Sequence, residues 1–212
     1  MSDRDGKRSA VFGKSGSGKT HLVKTKILGT ADRVVIFDPE EDYIDLKGFI
    51  AVYSLEKLLE VLKDCWDSSF LISFVPDPGF EEKQLHEVSC LIERLQEPYK
   101  QGKTNSKILL VVDELNLSFP LNYKPDFSGF ARLCSRGRKR GVSIVGVTQR
   151  PAEVATRFRG NLDRLVAFNF SLPNDLRVIR ETCGGEAEIQ VQKLQKYQYL
   201  AYEDGNFKVF GP

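Results

Sequence analysis

No stretch of this 212-residue chain approaches the run of about 20 apolar residues that spans a bilayer, so no integral membrane segment is expected. The charged opening, Met1-Ser2-Asp3-Arg4-Asp5-Gly6-Lys7-Arg8, has no apolar segment of signal-peptide length behind it. Cysteine is sparse. Cys65, Cys90, Cys134 and Cys183 lie far apart, with no Cys-x-x-Cys pair and no histidine cluster beside them. That spacing argues against a cysteine-held metal and for reduced thiols in a soluble, cytoplasmic-type protein. A charge bias is also missing: 31 Lys and Arg against 29 Asp and Glu leave a net +2. A partner such as nucleic acid must therefore be met by a local patch, not by the whole surface. With no repeat, low-complexity tract or linker, residues 1–212 read as one domain.

What is present is a series of short, nearly continuous apolar runs. They are Val34–Phe37, Phe49–Tyr53, Phe70–Val75, Ile108–Val112, Val142–Val147 and Leu165–Phe170. Strands of that kind belong to a sheet covered on both faces. Between them lie helix-like stretches: Leu55–Lys63 behind Ser54, Glu81–Lys100 with Leu85, Val88, Leu91, Ile92 and Leu95 on one side, Asp126–Arg136 and Asn174–Thr182. The alternation predicts an α/β fold with a mainly parallel sheet, helices on both faces and right-handed crossovers. Tyr197–Tyr202 and Phe207–Phe210, joined through Glu203-Asp204-Gly205-Asn206, predict a C-terminal hairpin at the sheet edge.

Gly13-Lys14-Ser15-Gly16-Ser17-Gly18-Lys19-Thr20 follows the apolar segment Arg8–Phe12 and precedes a helix-compatible run from His21 to Leu28. This is the spacing of a phosphate-binding loop. Its glycines let successive N–H groups turn inward, and the helix behind adds about half a positive charge at its N-terminus. Lys19 is expected at the β- and γ-phosphates and Thr20 on Mg²⁺. His21, in the first helical turn, is counted with the nucleotide-contacting stretch, its side chain solvated or packed and not a general base. About ninety residues on, Ile108–Val112 ends in Asp113-Glu114. Asp113 is the expected Mg²⁺ partner beside Thr20, and Glu114 the group that polarises the attacking water. A nucleotide kinase needs no second acid for that purpose, so the pair favours ATP hydrolysis.

Cys134-Ser135-Arg136-Gly137-Arg138-Lys139-Arg140-Gly141 leads into the next apolar run, which ends in Thr148-Gln149-Arg150-Pro151. Gly141 as a helix C-cap, with cations opposing the dipole, accounts for one or two of the basic side chains. It leaves unexplained a glutamine at a strand tip that, in a parallel sheet, lies beside the phosphate loop. Gln149 there can sense the γ-phosphate or hold the water.

Together these segments resemble the HerA/FtsK superfamily of ring-forming, DNA-translocating P-loop ATPases, with a RecA/FtsK-like three-layer fold. The resemblance rests on Gly137–Val142 followed by Val147-Thr148-Gln149-Arg150-Pro151, and on Val35-Ile36-Phe37-Asp38-Pro39 with Asp42-Tyr43, where Asp42 replaces the usual glutamate. Leu162–Phe168 with Pro173-Asn174-Asp175 extends it, so the match runs from about Gly13 to Asp175. It implies a hexameric or pentameric ring with ATP between subunits. Arg138 would serve as the finger reaching the neighbour's γ-phosphate, and Arg136 and Arg140 are the runners-up.

The minimal size is similar to that of the genome-packaging ATPases of membrane-containing icosahedral double-stranded DNA viruses. That implies packaging into a preformed procapsid, capsid or vertex proteins as partners, and a place in the host cytoplasm or at the virion vertex. Lys124, flanked by Tyr123, is a candidate contact to the DNA backbone, a proline-stiffened packing loop being the alternative. Arg157, Arg159 and Arg164 form a second candidate patch, explained as readily by solvent or subunit contacts. A plasmid or phage DNA-transfer or secretion ATPase, a small-molecule or nucleotide kinase, and an ATP-binding switch are the competing functions. Asn-Lys-x-Asp, which would read guanine, does not occur. His86, Trp66 and Cys183-Gly184-Gly185 are expected to be structural.

Overall fold

The computed structural model describes residues 6–66 and 68–211. The charged opening through Asp5 lies outside the described residues, as do Asp67 and Pro212. The strands are β1 (Arg8–Phe12), β2 (Arg33–Phe37), β3 (Ile50–Val52), β4 (Phe70–Phe74), β5 (Ile108–Val112), β6 (Val142–Thr148), β7 (Arg164–Phe168), β8 (Tyr199–Glu203) and β9 (Asn206–Phe210). They form one sheet in the order β3-β4-β2-β5-β6-β1-β7-β8-β9. From β3 to β7 every neighbouring pair is parallel. The C-terminal hairpin β8–β9 then adds antiparallel to β7. Asp204 and Gly205 join that hairpin, both at positive φ (51° and 80°), which matches the right-handed twist of the two strands.

Because strand side chains alternate, the sheet feeds two cores. Val35, Phe37, Leu110, Val112 and Ile144 point to one face, and Val34, Ile36, Leu109, Val111 and Val145 to the other. The helices are α1 (Lys19–Leu22), α2 (Leu55–Asp64), α3 (Glu81–Leu95), α4 (Glu97–Lys100), α5 (Leu115–Ser118), α6 (Gly129–Arg136), α7 (Thr156–Arg159), α8 (Pro173–Cys183) and α9 (Gly185–Lys193). The first core takes side chains from α2, α3, α6, α8 and α9, the second from α1 and its continuation to Leu28.

Several local choices follow directly from the residues. Ser54 Oγ accepts the Lys57 N–H at 3.1 Å and starts α2. The helix expected over Glu81–Lys100 is broken at Gln96. Pro98 has no N–H to continue the ladder, and the buried Gln96 side chain instead donates to the Ser106 and Arg140 carbonyls at 3.0 Å each. Asp126 belongs to a single 3₁₀ turn, Pro125–Phe127, before α6 begins at Gly129. His86 Nδ1 accepts the Gly129 N–H there at 2.9 Å, a structural role for that histidine. Gly184, at φ 92°, ends α8 as expected, but α9 starts at the next residue and was not foreseen. Trp66 stacks on the Arg33 guanidinium at 4.1 Å and beside Phe70. The four cysteines are free thiols, and burial pushes the Cys183 thiol up to about 12.

Candidate nucleotide site

The sheet register brings four chain segments to one edge. Phe12 aligns with Thr148, Phe37 with Val112, and Val112 with Gly146. The residues just past these strand ends are therefore Gly13, Asp38, Asp113 and Gln149, at the carboxyl edge where α/β sheets bind ligands. A cleft of about 450 Å³ opens there between the phosphate loop, Asp42, Asp113, Glu114 and Gln149.

The loop leaves β1 through Gly13, whose N–H donates to the Thr148 carbonyl at 3.2 Å. A Cβ at Gly13 would lie 2.6 Å from Phe168 Cβ and 2.7 Å from Ser17 Oγ, so only glycine fits. Gly18, at φ 108°, makes the left-handed turn into α1. The short α1 widens into a π turn over Val23–Ile27, and Thr25 Oγ1 donates to the His21 carbonyl at 2.8 Å. His21 itself is exposed. Lys19 is buried and folds back to donate to the Lys14 carbonyl at 3.2 Å. Burial lowers its pKa, while Glu114, Asp113 and Asp42 pull it back up. Ser17 Oγ is buried and, among the described residues, has no hydrogen-bond partner.

On the opposite wall, Asp113 is 3% exposed, and burial pushes its carboxyl up to about 6. The Glu114 N–H donates to Asp113 Oδ1 at 2.9 Å and partly offsets that effect. Glu114 has φ 41° and ψ 52°, a left-handed conformation costing a non-glycine residue about 1–3 kcal/mol. This turn swings its side chain out of the strand direction and into the cleft. There Glu114 Oε1 accepts from Gln149 Nε2 at 2.7 Å. Thr148, fully buried, donates to Asn116 Oδ1 at 2.6 Å and accepts the Arg150 N–H at 2.9 Å, fixing the backbone on both sides of Gln149.

Asp38 holds the third wall. Its carboxylate accepts from the Asp42 N–H (2.9 Å), the Tyr43 N–H (2.9 Å) and Ser73 Oγ (2.8 Å). The clamp turns Asp42 toward the cleft, where Asp42 Oδ2 accepts from Thr20 Oγ1 at 3.4 Å. It also sinks Tyr43 beside Asp113, whose charge reinforces the burial that raises the phenol pKa. Asp42, Asn116 and the Asp38 clamp were not among the expected site residues. The Asp-Pro-x-x-Asp-Tyr spacing was the available signal for two of them.

The basic candidates are scattered. Arg138 lies before β6, at the far end of a strand about 20 Å long from Gln149. Its guanidinium pairs with Asp163, which also accepts the Arg8 N–H at 2.8 Å. Arg140 is partly buried and paired with Glu93 (3.6 Å) and Glu97. Arg136 is exposed and, among the described residues, in no ion pair. Lys124 donates its N–H to Glu82 and lays its ammonium 5.5 Å from the Phe127 ring, while Tyr123 packs on Phe119. Arg157 is exposed, but Arg159 turns inward and donates to the Val154 carbonyl at 3.0 Å.

Residues 6–86, which include the phosphate loop and the Asp38 clamp, match the family described as Helicase HerA, central domain. The DNA translocase FtsK of Treponema pallidum (strain Nichols) is 23% identical over 187 residues, 83% of this chain. The chain spans 23% of that relative's length. The fold is similar end to end to the genome packaging NTPase B204 from Sulfolobus turreted icosahedral virus 2 in complex with ATP-gammaS. That likeness has a TM-score of 0.75 and 20% identity over 100% of this chain and 99% of the other. VirB4 of Thermoanaerobacter pseudethanolicus is similar over 99% and 90% of the two chains, at a TM-score of 0.70 and 14% identity. The fold is that of the P-loop ATPases. Among them, this chain is similar over residues 6–86 to the HerA central domain and over 187 residues to a DNA translocase FtsK.

Proposed function

We propose that this chain is an ATP-hydrolysing motor that drives double-stranded DNA, and that its cargo is a viral genome entering a preformed procapsid. The observation that carries the hydrolytic part is the Gln149–Glu114 hydrogen bond at 2.7 Å, in one cleft with Lys19 and Asp113. Glu114 takes a proton from water as its oxygen attacks the γ-phosphorus. The bond to the β,γ-bridging oxygen breaks, and ADP and phosphate leave. Gln149 holds Glu114 until a γ-phosphate competes for its amide, which ties base activation to a filled site. Lys19, released from the Lys14 carbonyl, neutralises the β- and γ-phosphate oxygens.

Magnesium fits the donor set. Thr20 and Asp113 would hold it, both oxygen donors, and Asp113 is a buried carboxylate whose ionisation a cation favours. When bound, it supplies charge neutralisation on the phosphates.

A nucleic-acid cargo is supported by the names of the similar proteins, a DNA translocase and a genome packaging NTPase, and packaging by the end-to-end likeness to the latter. The ring, hexameric or pentameric, is supported by Arg138 standing at the opposite end of β6 from its own Gln149, out of reach of its own cleft and so free to serve a neighbour's. Among the candidate DNA contacts, Lys124 and Arg157 stay exposed, which suits contact with phosphates in a channel. ATP turnover measured with and without duplex DNA, on material of known mass, tests the proposal. DNA-stimulated turnover that Glu114→Gln abolishes is expected. Phosphate transfer to a small acceptor, or binding without turnover, would overturn it.

A further inference from the structure

The cleft that holds the acids has a neighbour. A second cleft of about 480 Å³ shares Ser15 and Gly16 with the first and runs outward between the phosphate loop and the turn at residues 194–198. We propose that this second cleft seats the purine base of the nucleotide, with the Tyr197 ring as its stacking platform. The inference rests on the proposed nucleotide site and names the part of the substrate that the sequence left without a signature.

Three independent observations carry it. Tyr197 has φ 67°, a left-handed conformation rarely adopted by a bulky side chain, and yet the residue is 50% exposed. The turn that displays it is built, not loose. Asn169 Nδ2 donates to the carbonyls of Val191 (3.3 Å), Gln192 (3.0 Å) and Leu194 (3.1 Å), and Gln198 Oε1 accepts the Gln195 N–H at 2.9 Å. The ring also lies against the phosphate loop itself, 3.3 Å from where a Cβ of Gly18 would stand. A nucleotide laid across Ser15 and Gly16 thus has its triphosphate beside Lys19 and its base beside Tyr197.

The chemistry of the cleft suits a neutral aromatic. Its lining carries the Phe168 and Tyr197 rings, the amides of Asn169 and two glutamines, and the cations Lys14 and Lys196, but no carboxylate. Lys196 sits 4.9 Å from the Tyr197 ring centroid, an arrangement that orients the ring in the absence of a base.

Calorimetric titration of the whole chain with ATP and with inorganic tripolyphosphate separates this inference from the site it rests on. Tyr197→Ala should weaken ATP about 10-fold, the loss of one base–aromatic stack, and leave tripolyphosphate within about twofold. Tyr197→Gly, which also relieves the left-handed backbone, should lose ATP affinity equally while melting no lower than the parent. Tyr197→Phe should bind as the parent does. ATP affinity unchanged in Tyr197→Ala, or both ligands weakened alike, would overturn the base seat. If the parent binds neither ligand, the phosphate site fails and the base seat with it.

Discussion

In the proposed function the chemistry depends on Glu114 and Gln149, two hydrogen-bonded side chains that share no secondary-structure element. Glu114→Gln should keep ATP affinity within a fewfold and lower kcat by about 10²–10⁴, the usual contribution of a positioned base. Gln149→Ala frees Glu114 and removes the phosphate contact together, so kcat falls and the resting carboxylate loses its hydrogen bond. Single-turnover hydrolysis with labelled ATP checks both. Asp163 is a residue of another kind. Burial would raise its pKa, but the Arg8 N–H and the Arg138 guanidinium outweigh that and hold it below the ordinary 3.8. A depressed folded-state pKa stabilises the fold above the unfolded value, and that stability is lost as pH falls through the folded one. Asp163→Asn should therefore cost about 1–3 kcal/mol near neutral pH, with the gap to the parent closing below about pH 4. Urea unfolding across that range measures it, and a constant gap would contradict the assignment.

At the scale of elements, the apolar runs made the sheet legible. Strands buried on both faces need continuous hydrophobic sequence, and the runs from Val34 to Phe170 mark six of the nine strands. The phosphate loop and the acids at the end of β5 were legible for a chemical reason: a triphosphate with its cation demands those residue types at that spacing. Helix ends were not. Nothing in the spacing of Leu85 to Leu95 reveals that Gln96 leaves its helix to satisfy two carbonyls 10 and 44 residues away in sequence. Gln96→Ala strips those carbonyls of their donor in a fully buried setting and should destabilise the fold by about 1–3 kcal/mol. Chemical denaturation tests that value. Gln96→Leu, equally unable to donate, should do no better. The turn carrying Tyr197 was illegible for a related reason. Its shape is imposed by Asn169, an amide that sits more than 20 residues earlier in the chain.

For the molecule as a whole, the sheet places the residues of the proposed chemistry at opposite ends. The carboxyl edge carries the phosphate loop, Asp113, Glu114 and Gln149, while Arg138 stands at the amino end of β6 in the grip of Asp163. Of the three candidate fingers, Arg140 is committed to Glu93 and Glu97, Arg138 must leave Asp163 to act, and Arg136 already faces solvent. Arg138→Ala should bind ATP normally yet turn it over about 10³-fold more slowly or worse. Mixing it with Lys19→Ala should recover turnover at composite interfaces, each variant supplying what the other lacks. A mixture no faster than either variant alone would return the search to Arg136.

The central claim, that ATP is cleaved only where two copies of this chain close around it, is tested most directly by turnover per subunit as protein concentration rises, with mass measured at each point. The account predicts negligible turnover while the chain is monomeric and a cooperative rise that follows assembly. Full turnover by a dilute, demonstrably monomeric chain would contradict it.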